Sequence, residues 1–164
     1  MNILYYHQYF STPAGATGTR SYEFARALIK KGHNVSIICL NNDRSVTGLE
    51  KKRFIKGVRN GLVDKINIFE ININYSNNLN LIKRSVIFLK FTLKSILLGF
   101  KENSDLVICT STPLTISIPG LILKFFKNIP LVFEVRDLWP ELPVAMNLIK
   151  NKLIIFLLEI LEKV

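Results

Sequence analysis

The sequence is poor in cysteine and has no long uncharged apolar segment. Cys39 and Cys109 are the only cysteines among 164 residues, and each lies in an apolar run, which favours buried thiols over a disulfide or a metal site. No window of about 18 residues is strongly apolar and free of charge, and the N-terminus has neither a basic segment nor a cleavage site. We therefore expect a cytoplasmic protein with no transmembrane span.

Acidic residues are also scarce. Lysine and arginine number 22 against 12 aspartates and glutamates, a formal net charge of +10 that favours anionic partners. The basic residues lie beside aliphatic side chains and are not interleaved with stacking aromatics, and no helix-turn-helix, zinc or RNA-binding signature is present. We expect no nucleic-acid partner, which leaves phosphorylated metabolites and acidic lipid surfaces.

Short apolar runs alternate with helical patterns along one domain-sized chain. This alternation predicts an α/β domain, Rossmann-like and three-layered, with a mostly parallel sheet. Ligands of such sheets bind at the carboxyl ends of the strands, here the loops 8–18, 110–113 and 136–142. The polar, basic segment 41–60 is expected to be a long mobile loop, and residues 153–161 a helix that is apolar on every side. The predicted strands are 2–7, 34–40, 66–71, 105–109 and 130–135, and the predicted helices are 18–31, 80–102 and 113–127.

The first loop carries Gly15 and Gly18 in front of a predicted helix that Thr17 or Thr19 would cap. Glycines let a ligand approach the backbone, and a helix N-terminus favours a phosphate. Because about eight residues separate the first strand from the glycines, a dinucleotide fingerprint fits poorly. An anion or sugar-phosphate site and an ordinary strand–helix connection both remain open. His7, at the end of the first strand, either bonds a ligand hydroxyl or is structural.

Residues 82–101 form a helix with two apolar strips. At 100° per residue Lys83, Lys90, Lys94 and Lys101 fall between the strips. The wider strip is expected to pack on the sheet: Ile82, Val86, Leu89, Leu93, Ile96, Leu97 and Phe100. The narrower strip, Ile87, Phe91 and Leu98, is expected to face outward. Contact of Lys83, Lys90, Lys94 and Phe91 with an anionic membrane surface is one explanation, and cover by another part of the protein is the other.

A charged turn follows the fifth predicted strand. Arg136, Asp137 and Glu141 lie there, and Pro140 and Pro143 stiffen the backbone. Asp137 and Glu141 are candidate catalytic carboxylates that would accept the proton of a sugar hydroxyl, and Arg136 would bind phosphate. The alternative is a structural network in which Arg136 pairs with one of the acids.

Three segments in order along the chain resemble a known family: "HQYFSTPAGATGTRSYEFARALIKKGHNV" at the start, "TSTPL" at 110–114 and "EVRDLWPE" at 134–141. They are similar to the N-terminal half of the GT-B glycosyltransferases of family 4. The closest likeness is to the bacterial branch, including fucosamine-type transferases, that builds lipopolysaccharide O-antigen and capsule. The resemblance extends over essentially the whole chain.

The resemblance implies that residues 1–164 are a single acceptor-binding domain and that the donor-binding domain is not in this chain, which alone would be inactive. It implies retaining transfer from a nucleotide-sugar to a lipid-linked saccharide at the inner face of the plasma membrane, without metal or other cofactor. Gly15 and Gly18 would approach the donor diphosphate, with Arg20 after them, and Asp137 would be the acceptor-side carboxylate. A second hypothesis is a non-catalytic, membrane-recruiting or acceptor-binding module that works with a separate donor-domain chain.

Overall fold

The computed structural model describes residues 1–75, 79, 81–111 and 113–163, with the backbone alone at Asn74, Leu81 and Ile82. The strands are β1 (Asn2–Tyr6), β2 (Asn34–Asn42), β3 (Val58–Val63), β4 (Ile66–Tyr75), β5 (Leu106–Thr110) and β6 (Leu131–Glu134). The α-helices are α1 (Arg20–Lys30), α2 (Leu81–Lys101), α3 (Ser117–Lys127), α4 (Glu141–Ala145) and α5 (Lys152–Glu162), and a 3-10 turn spans Leu114–Ile116.

One six-stranded sheet has the order β3-β4-β2-β1-β5-β6. Every neighbouring pair is parallel except β3 and β4. Because β1 has β2 on one side and β5 on the other, the chain order along the sheet reverses between β1 and β5. In a doubly wound α/β domain this reversal opens a crevice at the carboxyl ends of the strands. The predicted fold class, a Rossmann-like α/β domain with a mostly parallel sheet, is confirmed.

The central strand β1 is buried on both faces of the sheet. Ile3 and Tyr5 pack with α1, and Leu4 and Tyr6 pack on the opposite face with α2 and α3. Both cysteines are free thiols at 0% exposure, as the apolar runs around them predict. Desolvation by burial raises the pKa of both thiols, which keeps them protonated.

The expectation of a long loop over 41–60 was wrong at both ends. Strand β2 continues to Asn42, and β3 begins at Val58 and pairs with β4. Strands β3 and β4 are joined at Asp64 and Lys65, whose φ angles of 49° and 69° give a tight hairpin turn. Since this turn is formed without a glycine, the sequence gives little sign of the hairpin.

The prediction for the two faces of α2 was also wrong. Phe91 is 1% exposed and lies in the core with Ile87 and Leu98 packed around it, so it is not an outward-facing residue. The strip expected to pack on the sheet faces outward instead, with Val86, Leu89, Leu93, Leu97 and Phe100 between 43% and 64% exposed. The side chain of Ile82, expected in that strip, lies outside the described residues.

Small residues explain which strip faces inward. Ser95 and Gly99 lie on the buried side of α2, and a Cβ added at Gly99 would overlap the Tyr6 hydroxyl and meet Leu123. The Tyr6 hydroxyl donates to the Ser95 carbonyl at 3.2 Å. Only this side of the helix lets the backbone come close enough to give the buried tyrosine its hydrogen bond.

The C-terminal segment forms a helix with apolar side chains all round, as predicted. Asn151 caps α5, its Oδ1 accepting from the amides of Leu153 at 2.9 Å and Ile154 at 3.3 Å. Of its apolar side chains Leu158 is buried, whereas five others are about half exposed or more: Leu153, Ile154, Phe156, Leu157 and Ile160. Within the described part of the chain, no helix is both long and apolar enough to cross a membrane.

Candidate functional site

Three chain segments meet in a cavity where the strand order reverses. His7 follows β1, Gly18 precedes α1, and Arg136 and Asp137 follow β6. These four residues line a cavity of about 190 Å³ together with Tyr9 and Thr17. The crevice rule for doubly wound sheets anticipates a ligand at this position. Four of the residues predicted from sequence are therefore brought to one place.

His7 lies at the base of the cavity, 4% exposed. Its Nε2 is 3.5 Å from a guanidinium nitrogen of Arg136, and because arginine only donates, this ring nitrogen is the acceptor. Burial lowers the pKa of His7 to about 3, and the positive charge of Arg136 acts in the same direction. The imidazole is thus neutral at physiological pH. Its Nδ1 has no hydrogen-bond partner among the described residues.

The turn that carries Arg136 and Asp137 is fixed by Ser111, which follows β5. The Ser111 hydroxyl oxygen accepts from the amide of Arg136 at 2.8 Å and from that of Asp137 at 3.4 Å. The Ser111 amide in turn donates to the Glu134 carbonyl at 3.0 Å. Arg136 and Asp137 are thus exposed residues whose backbone amides are held by the Ser111 hydroxyl. Sequence reasoning named no role for Ser111, and its place in the loop 110–113, at the carboxyl end of a predicted strand, was the available signal.

Arg20 and Glu134 connect the start of α1 to the end of β6. Their ion pair is 2.6 Å long, and Tyr5 donates its hydroxyl to the same carboxylate at 3.1 Å. Burial raises the pKa of Tyr5 to about 12, so the phenol stays protonated and remains a donor. Arg20 is therefore held by Glu134, and it is not among the residues that line the cavity.

The two glycines of the first loop have different surroundings. A Cβ at Gly18 would meet nothing nearer than the Arg136 guanidinium at 4.0 Å, so the glycine borders open space. A Cβ at Gly15 would overlap the Ser11 hydroxyl and lie 2.7 Å from the amide of Val46. Gly15 thus packs the first loop against the segment after β2, and only Gly18 borders the cavity.

The N-terminus of α1 also faces this loop. Thr19 occupies the N-cap position, one of the two residues expected there, and its side chain makes no cap hydrogen bond. The first amides of the helix are then not satisfied by that side chain and carry the positive end of the helix dipole. Together with Arg136 they make the cavity favourable for an anion.

The remaining predicted residues lie elsewhere. Glu141 is the first residue of α4, exposed and outside the cavity. Lys83 and Lys90 are exposed on α2, and Lys94 is half-buried with its Nζ near Gly57. Phe91 is in the core. The structure therefore separates the residues proposed for chemistry from those proposed for membrane contact.

A larger, mostly apolar groove of about 730 Å³ opens beside the cavity. Tyr9 lines both, and the ring of Tyr75 lies 5.0 Å from that of Tyr9. The groove runs between α2, which contributes Phe88, and the C-terminal segment, and Trp139 also lines it. It is large enough for an aliphatic group or a sugar ring, and it meets the cavity, which Asp137 also lines, at Tyr9.

Metal ligands are not clustered in the part of the chain that the structure describes. No group of three or more histidine, cysteine, aspartate or glutamate side chains there is arranged to hold an ion.

Comparison with known proteins identifies the fold and no family. No family model matches the chain, and no curated protein matches it. Among solved structures the chain is similar to the C-terminal domain of a hydrogenase from Pyrococcus furiosus. One structure of that domain has 15% identity and a TM-score of 0.55, and another has 17% identity and a TM-score of 0.58. In each case 81% of this chain and 90% of the other are covered. At such identity the likeness shows a common α/β fold alone.

Proposed function

We propose that the chain is the acceptor-side domain of a retaining glycosyltransferase that moves a sugar from a nucleotide-sugar to a lipid-linked saccharide. The setting would be bacterial surface polysaccharide synthesis, O-antigen, lipopolysaccharide or capsule, at the cytoplasmic face of the membrane. The observation that carries the proposal is the convergence of His7, Gly18, Arg136 and Asp137 on one cavity at the switch point of the sheet.

Each residue of the cavity has a chemical role in this proposal. Asp137 accepts the proton of the attacking acceptor hydroxyl, and its backbone is held by Ser111 for that purpose. Arg136 and the start of α1, approached closely at Gly18, offset the charge of the donor diphosphate. Neutral His7 accepts a hydrogen bond from Arg136 and orients it. These charges act in place of a metal ion, so the proposed reaction is metal-independent.

The apolar groove next to the cavity supports a lipid-linked acceptor. Trp139 presents an aromatic face to a sugar ring, and Tyr75 and Phe88 line the part suited to an aliphatic chain. An acceptor lying in the groove brings its sugar to Asp137 at the point where groove and cavity meet. A free, strongly polar acceptor would leave most of the groove lining unused.

The test is a transfer assay on the full-length gene product with a panel of nucleotide-sugars and isolated membrane acceptors. Asp137→Asn keeps the shape of the side chain and removes the base, and we expect transfer to fall by about 10² to 10⁴-fold. Glu141→Gln probes the second candidate carboxylate, and because Glu141 begins α4 outside the cavity we expect transfer to fall by less than about ten-fold. Wild-type turnover by Asp137→Asn would refute the catalytic role.

The second candidate, a non-catalytic module that recruits a separate donor-domain chain to the membrane, is favoured by the exposed apolar strip of α2. The same assay separates the two. If a second chain supplies both catalysis and donor binding, Asp137→Asn leaves transfer unchanged, whereas deletion of the module releases the partner from membranes.

A further inference from the structure

The outward sides of α2 and α3 together present a broad apolar surface. Phe125 and Phe126 of α3 are 82% and 70% exposed. The Phe126 ring is 5.2 Å from that of Phe125 and 6.4 Å from that of Phe100 on α2. We call this surface the outer face; it consists of Val86, Leu89, Leu93, Leu97, Phe100, Phe125 and Phe126.

The outer face is long and continuous. From Val86 to Phe100 the rise of the helix spans about 21 Å, and the two phenylalanines of α3 widen its far end. Single exposed apolar residues are ordinary on protein surfaces, but a contiguous patch of this extent marks a site of interaction.

The charge around the outer face selects the kind of partner. Lys83, Lys90, Lys94 and Lys101 fall within about 40° of one another on the helix, directly beside the apolar strip. The α2 and α3 sequences contain six lysines and one arginine and no acid. The acid that follows α2, Glu102, is directed toward the sheet, where it accepts from Ser36 at 3.4 Å. A surface with phosphate groups above an apolar layer complements this arrangement.

The apolar groove next to the cavity is lined in part by α2. Arg84, Ser85 and Phe88, in the first two turns of α2, line the groove whose other end reaches the cavity. A helix that lies in the membrane interface would therefore hold the groove at the level from which a lipid-linked saccharide emerges.

We propose that the outer face docks the protein on an anionic lipid bilayer, with α2 in the plane of the interface. Leu89, Leu93 and Leu97 enter the acyl boundary, and Lys90 and Lys101 meet the headgroup phosphates. The biological meaning of this docking rests on the proposed function, but the binding itself does not, since it needs neither donor nor acceptor.

The apolar contribution is tested by co-sedimentation with vesicles of phosphatidylcholine containing phosphatidylglycerol. Leu89→Ser, Leu93→Ser and Leu97→Ser together should lower the partition coefficient about a hundred-fold, because three leucines no longer leave water. Ile55→Ser with Leu62→Ser is the matched control, since those side chains are 75% and 69% exposed outside the outer face. We expect the control to bind like the wild type.

The electrostatic contribution to vesicle binding is tested with variants of equal net charge. Lys90→Gln with Lys101→Gln should weaken binding about thirty-fold, from the usual contribution of a basic residue at an anionic surface. Lys30→Gln with Lys31→Gln removes the same charge at the end of α1, on the opposite face of the sheet, and should leave binding within a few-fold of the wild type. Binding should also fall with added salt and on pure phosphatidylcholine.

Three results would overturn the proposal. Vesicle binding by the triple leucine variant at the wild-type level, with its fold shown intact by its melting curve, would show that the leucines do not dock. Equal losses in test and control variants would indicate binding by net charge alone. A wild-type dimer in sedimentation velocity that the leucine variant converts to a monomer would assign the outer face to self-association. Transfer to a short water-soluble acceptor, measured in parallel, reports on the proposed function independently of docking.

Discussion

The cavity at the carboxyl edge and the outer face of α2 and α3 depart from the usual distribution of side chains in opposite directions. In the cavity a histidine is buried and neutral beside an arginine, whereas on the outer face seven large apolar residues are in contact with solvent. Both arrangements reduce the free energy of unfolding relative to an apolar core and a polar surface. The difference teaches what each region is suited to bind: a small anion in the first and an extended apolar layer in the second.

The largest expected effect tests which side of α2 faces the core. Phe91→Ala should lower the free energy of unfolding by about 3–5 kcal/mol, because it leaves a cavity in the core cluster that also contains Tyr75 and Leu123. The neighbouring Leu93→Ala, on the outer face, should change it by less than about 0.5 kcal/mol. Chemical denaturation measures both. A larger loss at Leu93 than at Phe91 would reverse the assignment of the two strips.

The next prediction separates the two glycines of the first loop. Gly15→Ala should cost about 1–3 kcal/mol, since its Cβ meets the backbone amide of Val46 at 2.7 Å and the Ser11 hydroxyl. Gly18→Ala borders open space and should leave the unfolding free energy within about 0.5 kcal/mol. Thermal unfolding of both variants is the measurement, and donor binding should be weakened only where the methyl group enters the cavity, at Gly18. Equal stability losses would show that both glycines serve packing.

The buried histidine predicts a dependence of stability on pH. The pKa of His7 is lowered from 6.5 to about 3 in the folded chain, so between those values the unfolded state binds the extra proton. Stability contributed by neutral His7 is complete above about pH 6.5 and falls with acidification, by about 1.4 kcal/mol per pH unit. Denaturation of wild type and His7→Gln from pH 7 to 5 isolates this contribution. Parallel curves for the two proteins would contradict it.

The smallest expected effect concerns the ion pair between Arg20 and Glu134. The Arg20 side chain is 65% exposed, so solvent screens its pair with Glu134, and Arg20→Ala should cost less than about 1 kcal/mol. If Arg20 also contacts the donor, transfer falls far more than stability does. Comparing the unfolding free energy with the KM for the nucleotide-sugar distinguishes a structural tie from a ligand contact.

The cavity could largely be predicted from the sequence because parallel strands bring their carboxyl ends to one edge. His7, Arg136 and Asp137 each follow a strand, and that order alone places them together. Ser111 was missed because a serine after a strand has many ordinary roles, and its bond to the Arg136 amide is long-range.

The orientation of α2 could not be predicted in the same way. On α1 the outward residues are mostly polar, and the buried Tyr22 and Ala25 lie on one side at helical spacing. On α2 both strips are apolar, and the deciding contact, the hydroxyl of Tyr6 on the Ser95 carbonyl, joins residues far apart in sequence. A helical period of apolar residues indicates which face of a helix is buried only when the opposite face is polar.

The most direct test of the central claim is a crystal structure of the full-length gene product with a nucleotide-sugar and an acceptor saccharide bound. We predict an acceptor hydroxyl within about 2.6–3.2 Å of the Asp137 carboxylate. The donor diphosphate should lie against Gly18 and the guanidinium of Arg136. A donor and acceptor that meet away from this cavity, with Asp137 contacting neither, would contradict the account.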